Sequence, residues 1–356
     1  MHIIFCTSSS TKSGGSRQAL YLAQEFVRRG HSLTFFTPAH STLRTLAPEM
    51  TWADLPDNPK QWRTAIEAAF PEGAPAVFHA FHNKAVKKAA WWGLRWRSRG
   101  VVCVAHRGVV YKPGNPLPYW SPGIGAFAVN SKACAVVLAR FGVGKKRLHV
   151  VYNGIPDDRT TPDTPAQVMR AALGIPETHF VFGTVAGNNP VKGADVMLRA
   201  FALADMQETT LVAVGVGADV YGSLAKELGI SERVRLVGHT ENVADHLNCL
   251  DAFILPSRSE SMPNTLLEAI RMGLPSVATD VGGVKELLAD TGISVPADNP
   301  EAMAEALKIM RTDSARREAF AANSRALAPQ YSIGNRAERM EAIYRNLLSA
   351  RGLVTD

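Results

Sequence analysis

No apolar run in this sequence approaches the roughly 18 residues that a membrane-crossing helix requires. The opening segment MHIIFCTSSS lacks the basic region and long apolar core of a signal peptide. Cysteine is scarce. Cys6, Cys103, Cys134 and Cys249 lie far apart and form no CxxC pair. That spacing excludes a disulfide scaffold or a zinc ribbon, and Cys6 and Cys103, in apparent core strands, are expected to be buried thiols. These absences point to the cytoplasm. No Asp-x-Asp pair ends a strand, and no His, Cys or Asp cluster has metal-ligand spacing. No metal and no other cofactor is therefore expected. Short-period repeats and low-complexity tracts are also missing. An NAD-dependent oxidoreductase would need GxGxxG after the first strand and an acid closing the second. Here the loop reads TSSSTKSGGS and the second strand ends SLTFFTPAH, without that spacing or that acid.

What is present is a globular composition. The 356 residues are 46% hydrophobic and 20% charged, a length that favours two domains. The net charge of +7 suits anionic partners such as nucleotides, nucleic acid or an acidic membrane surface, or is simply the mild basicity of many soluble proteins. No nucleic-acid-binding motif accompanies it, and its cations are spread or interleaved with tryptophan, so nucleic acid is not expected as a partner.

Short β-rich runs alternate with helix-length segments. The first half gives HIIFCT, SLTFFT, AVFHAF, VVCVAH, AFAVNS and HVVYNG; the second gives FVFGTVA, TTLVAVG, VRLVG, AFILPS, SVATD and GISVP. Such continuous apolar runs belong to strands covered on both faces, and strand–helix alternation implies parallel, doubly wound sheets. Residues 156–178 carry Pro156, Pro162, Pro165 and Pro176 and read as a connector. The expected domains are residues 1–158 and 178–333, with a last helix at about 334–350 placed to pack back on the first. Two such α/β domains turn the C-terminal ends of their strands toward one cleft, the usual ligand site of these sheets. Topology alone leaves dehydrogenases, epimerases and glycosyltransferases open.

The stretch PSRSESMPNTLLEAIRMGLPSVATDVGG carries the most chemistry. Glu260 and Glu268 are separated by seven residues, and Pro263 stands where a helix can begin. Glu260 then lies in the preceding loop and Glu268 along the helix. The backbone amides around Met262, Asn264, Thr265 and Leu266 would point into the cleft, where amides and the helix dipole favour phosphate. One carboxylate for a hexose, one for a ribose and amides between suit a nucleoside diphosphate sugar. An isolated pair of glutamates at this spacing would merely be solvated. The whole run AFILPSRSESMPNTLLEAIRMGLPSVATDVGG, however, resembles the donor-site signature of the retaining GT-B glycosyltransferases of family 4.

That resemblance covers nearly the full chain and implies the GT-B architecture: two Rossmann-like doubly wound domains facing a central cleft, with the acceptor on the first. It assigns Glu260 to hydroxyls of the donor sugar and Glu268 to the nucleotide ribose, with Ser261, Met262, Pro263, Asn264, Thr265 and Leu266 around the phosphates. It places Gly14 and Gly15 in the glycine-rich loop near the diphosphate, where a Cβ would clash. Lys192, in GTVAGNNPVKGADVML, matches the family lysine that offsets charge growing on the departing diphosphate. Gly215 of GVG and His239 of VGH fall where the family holds base and ribose. His106, ending VVCVAH, resembles the family histidine near the reaction centre, and structural hydrogen bonding is its alternative. His79 and His82 stand where relatives often carry histidines. One departure is Gly187, where many relatives have arginine; Arg107, Arg258 or Lys12 would have to compensate. The family needs no catalytic metal.

The resemblance implies retaining transfer of a hexose-type sugar from a UDP- or GDP-sugar to an acceptor hydroxyl, in lipopolysaccharide or lipid-linked glycan synthesis. A GT-B sugar-nucleotide epimerase and a glycosyltransferase with a soluble acceptor remain alternatives, and oligomeric state is open. Lys84–Arg99, KAVKKAAWWGLRWRSR, sets Lys84, Lys88, Trp91, Arg95 and Arg99 near one helical face with Trp92 and Trp96 alongside. That composition suits peripheral contact with an anionic membrane, or an ordinary helix with its tryptophans turned to the sheet.

Overall fold

The computed structural model describes residues 1–288 and 290–353. The chain forms two compact units, Met1–Gly154 with the segment from Ile333 onward, and Ile155–Ser332.

The first unit is a seven-stranded parallel sheet in the order β3-β2-β1-β4-β5-β6-β7. Its strands are β1 (His2–Thr7), β2 (Ser32–Pro38), β3 (Trp52–Leu55), β4 (Ala76–Phe81), β5 (Val101–Arg107), β6 (Ala126–Val129) and β7 (Leu148–Val150). The intervening helices are α1 (Gly14–Arg28), α2 (Trp62–Glu67), α3 (His82–Trp96), α4 (Leu117–Trp120) and α5 (Lys132–Arg140). Central β1 and β4 are buried on both faces, since helices cover both sides. Helix α1 starts where Ser13 Oγ accepts from the Ser16 amide, and buries Ala19, Leu20, Leu22, Ala23 and Phe26.

The second unit is a six-stranded parallel sheet, β10-β9-β8-β11-β12-β13. It runs through α6 (Ala166–Ala172), β8 (Phe180–Val185), α7 (Ala194–Ala204), β9 (Thr209–Val214), α8 (Ala218–Glu227), β10 (Val234–Gly238), α9 (Val243–Asn248) and β11 (Ala252–Leu255). It continues with α10 (Asn264–Arg271), β12 (Ser276–Thr279), α11 (Val284–Leu288), β13 (Gly292–Val295), α12 (Pro300–Thr312) and α13 (Ser314–Leu327). The last helix, α14 (Ile333–Ser349), belongs to the first unit, where Met340, Tyr344 and Leu348 join Phe5 and Phe26 in the core.

Three details differ from the sequence reading. The units divide at Gly154, ahead of residue 158, and the proline-rich stretch is part of the second unit. Ile155 bridges to Ser332 and its amide donates to Tyr331 O. Further along, buried Asp245 accepts from the amides of Asp163 and Thr164. Turn-forming residues read as a linker, but polar side chains pin them. Strand β3 was not expected. It is a short edge strand whose Asp54 interrupts the apolar pattern and which Pro56 follows. Of the tryptophans on α3, Trp96 does not face outward. It is fully buried between Phe70 and Phe78, and its indole N–H donates to Glu67 Oε1 at 2.7 Å. Trp92 is half-buried against it, and only Trp91 is exposed.

Candidate functional site

In the second unit, the loops that follow β8, β9, β10 and β11 are knitted together at the C-terminal edge of the sheet. The Gly215 amide donates to Gly238 O at 2.5 Å, and the Gly217 amide to Asn188 Oδ1 at 2.9 Å. The Arg258 amide donates to Val191 O at 2.8 Å. Two glycines permit this closeness. Gly193 (φ +67°) and Gly215 (φ +80°) both have left-handed backbones, and a Cβ on either would fall well inside 3.0 Å of a neighbouring carbonyl, Pro256 O and Ala186 O respectively. His239 follows β10 and is exposed. The loop therefore gathers Lys192, Gly215 and His239 with the segment from Pro256 to Leu266.

Both candidate carboxylates are held by cations. Glu260 Oε1 accepts from Lys192 Nζ at 2.6 Å and from Ser257 Oγ at 2.9 Å. Pro263 is the N-cap of α10 and supplies no side-chain cap, and Leu266 and Glu268 lie on the buried face of that helix. Glu268 Oε1 accepts from Arg159 Nε and Nη2 at 3.1 and 3.0 Å. Arg271, one turn on, reaches back to the same segment, donating to Asp157 Oδ1 at 2.5 Å and to Ile155 O at 2.9 Å. Sequence reasoning missed Arg159 because the proline-rich stretch around it read as a connector. The available signal was Glu268 itself, since an acid on an otherwise apolar helix face needs a partner.

The cations considered for the missing arginine are differently disposed. Arg258 is committed to Asp195, at 2.9 and 2.8 Å, and to Asp298 at 2.6 Å. Those carboxylates raise its pKa above its ordinary value and offset its charge. Arg107 is buried and donates to Tyr119 Oη at 2.8 Å and to Tyr111 O, bracing the loop after β5. Lys12 is exposed in the loop before α1. Around Gly187 a Cβ would meet open space.

In the first unit, Gly14 and Gly15 open α1, and a Cβ on Gly15 would lie 3.5 Å from His82 Nε2. His82 itself has φ +65°, uncommon for a non-glycine residue, and its Nδ1 is 2.6 Å from Thr7 Oγ1. Thr7 ends β1, so the strand end, the glycine pair and the start of α3 meet at His82. His106, next to last in β5, lies beside the rings of His79 and Phe81. His79 is a core residue, fully buried, with Nδ1 2.5 Å from the Tyr344 hydroxyl of α14. Arg336, also from α14 and buried, donates to the Gln18 carbonyl and side chain.

Burial holds the His79 and His106 rings well below the ordinary histidine pKa, helped at His79 by His106 and then Arg336, and at His106 by Arg336 and then His82. Both are therefore neutral at pH 7, and His106 can donate or accept a hydrogen bond but brings no positive charge. An unfolded chain binds protons at these positions below pH about 6.5, and the folded one resists them. Stability present above that pH is thus lost as pH falls. The first unit is expected to lose about 2 kcal/mol between pH 6.5 and 5.5, from two rings shifted this way. All six tryptophans lie in that unit, so their fluorescence during urea unfolding reports it selectively. A midpoint unchanged over this range would mean the rings protonate freely in place.

Two family models match the chain: Glycosyltransferase Family 4 over residues 12–159 and Glycosyl transferases group 1 over residues 178–313. The chain belongs to this family of GT-B glycosyltransferases, and its two parallel-sheet Rossmann-like domains agree with that. It is similar to D-inositol 3-phosphate glycosyltransferase of Corynebacterium urealyticum, 33% identical over 220 residues, 57% of this chain and 52% of that protein. It is also similar to the lipopolysaccharide core biosynthesis mannosyltransferase LpsB of Rhizobium meliloti, 30% identical over 56% of this chain and 61% of that one. The chain thus spans about half the length of the first of these relatives, 52%. Among solved structures, Anabaena HepE in complex with UDP shares the fold at a TM-score of 0.83 and 18% identity, over 97% of this chain and 100% of that chain. WaaG, a glycosyltransferase involved in lipopolysaccharide biosynthesis, does so at 0.68 and 20%, over 96% and 99%. Among the described residues, no helix is long and apolar enough to cross a membrane.

Proposed function

We propose that this protein transfers a hexose-type sugar from a UDP- or GDP-sugar to an acceptor hydroxyl, with retention of the anomeric configuration, in the synthesis of a cell-envelope glycan. The observation that carries the reading is the pair of carboxylates at the start of α10, Glu260 partly buried and Glu268 buried, with Lys192 2.6 Å from the first of them. A lysine beside a carboxylate can neutralise a departing diphosphate while the carboxylate orients the sugar. Glu268 takes the ribose. The glycine-rich start of α1 serves the diphosphate, and His106 accepts or donates a hydrogen bond to the donor sugar as a neutral ring. Retention without a positioned protein nucleophile implies departure and attack on one sugar face, the leaving phosphate taking the acceptor proton. The relative named for lipopolysaccharide core supports an envelope acceptor, the one named for D-inositol 3-phosphate supports the alternative of a soluble acceptor, and the UDP bound by HepE supports a nucleotide donor.

A nucleotide-sugar panel screened by thermal shift identifies the donor, because a bound ligand raises the melting temperature by mass action. With that donor, Glu260→Ala is expected to lower turnover about a hundredfold or more, the scale of a lost electrostatic contact at a reacting centre, while affinity for the bare nucleoside diphosphate stays nearly unchanged. Equal losses in both would mean that Glu260 serves the nucleotide. Product NMR reads the anomeric centre, and inversion there refutes the retaining mechanism. Epimerisation of the donor without acceptor would replace transfer as the activity.

A further inference from the structure

The cations are spread along the chain, but its net positive charge is confined. From Gly73 to Pro156 there is no Asp or Glu, against thirteen Lys and Arg. The chain holds 39 basic and 32 acidic residues in all, so everything outside that stretch carries 26 against 32 and is net negative. The stretch builds α3, α4, α5 and the loops beside them, all in the first unit.

These segments are tied into one surface. Ser121 Oγ donates to Ala90 O, and Arg97 Nη2 donates to Pro122 O. Gly93 and Gly123 bring the α3 and post-α4 backbones so close that a Cβ on either would collide with the other segment. On the far side of α4, the Trp120 indole N–H donates to Phe141 O at 2.9 Å, just past α5. Five large apolar side chains nevertheless point to solvent from this fabric: Trp91 (53% exposed), Leu94, Leu117 (53%), Trp120 and Val136. Exposed cations surround them, among them Lys87, Arg95, Lys112 and Arg140. Lys84 and Lys88 are drawn instead over the Trp62 ring, at 4.8 and 5.8 Å.

We infer that this face docks on an anionic lipid bilayer, an inference that rests on the glycosyl-transfer reading only for its biological sense. The chemistry selects this occupant. Segments that carry no acid of their own, with Glu67 of α2 paired to Arg99 at their edge, meet little repulsion on a bed of phosphate headgroups, and each cation there is attracted within a Debye length of about 8 Å at physiological salt. Tryptophan sits at the headgroup boundary, and leucine and valine enter the acyl edge. A nucleic acid would use the cations but would leave Leu94, Leu117 and Val136 without a role, since bases stack on aromatic rings and not on aliphatic chains.

Flotation with vesicles of phosphatidylglycerol and phosphatidylcholine, in the absence of any donor, tests it. The full chain is expected to bind them about tenfold or more tightly than pure phosphatidylcholine, and to lose the difference as salt rises. Trp91→Ser with Leu117→Ser, both exposed, is expected to weaken binding about tenfold. Lys87→Glu with Arg95→Glu should do the same should the first pair melt early by circular dichroism. Leu203→Ser, exposed on the second unit, should change nothing. Equal binding to both vesicle types, or none to either, overturns the inference. So does polyuridine RNA that displaces the vesicles and binds the Trp91→Ser, Leu117→Ser variant as tightly as the parent. A chain that floats but turns over no nucleotide sugar sinks the transfer reading and leaves the docking face standing.

Discussion

Glu268→Ala is expected to weaken binding of a nucleoside diphosphate by about 1.5–3 kcal/mol, the scale of a hydrogen bond to a charged group, or roughly ten- to a hundredfold in affinity. The carboxylate is buried and already fixed by Arg159, so in the proposed role it would meet a ribose diol without losing side-chain freedom on binding. Arg159→Gln, which removes the charge that fixes it, should reproduce part of the loss. The discriminating measurement is calorimetry with a ribonucleotide and its 2′-deoxy analogue. The parent should prefer the ribonucleotide, Glu268→Ala should not, and Arg159→Gln should prefer it less. A preference unchanged in Glu268→Ala would remove the ribose assignment. A preference lost in Glu268→Ala but kept in Arg159→Gln would leave the assignment and dismiss the arginine.

The second large effect concerns one missing methyl group. Gly193→Ala is expected to destabilise the second unit by about 3 kcal/mol or more, combining a left-handed backbone that alanine resists, at about 1–2 kcal/mol, with overpacking of about 1–3 kcal/mol. Its φ is +67° and its Cβ would meet the Pro256 carbonyl, which is backbone and cannot swing aside. Lys192 precedes it and Ser257 follows the proline, so any relief comes from parting the lysine loop from the Glu260 loop. Calorimetry should show the second unit melting early while tryptophan fluorescence reports the first unit unchanged. Gly187→Ala, where space is open, is the control and should be nearly neutral. If Gly193→Ala melts like the parent, the two loops are not packed as described.

The central strands were legible because parallel strands covered on both faces are continuous apolar runs, as HIIFCT and AFILPS are. Edge strand β3 was not, because four residues with one acid carry too little pattern. The donor loop was legible from its glutamates, proline and glycines. The partners of those glutamates were only partly so. Lys192 is close to its motif, but Arg159 reaches Glu268 across 109 positions of sequence. Helical periodicity alone could not tell Trp91 from Trp96 on α3, because burial there depends on Phe70 and Phe78 from other elements. The acid-free stretch was open to counting from the start; its bearing on function needed the contacts among α3, α4 and α5.

The return of α14 makes the second unit, topologically, an insert within the first. The insert has the ends such an arrangement needs, since Ile155 and Ser332 lie side by side in a β-bridge. During synthesis the first unit cannot complete its core when its own strands emerge. Phe5 and Phe26 wait for Tyr344, and His79 waits for the hydroxyl of the same residue. Everything from Ile155 to Ser332 is made in between, as one contiguous compact unit. The unit translated first is therefore finished last, and through that interval its apolar sheet face remains the part of the nascent protein most in need of shielding.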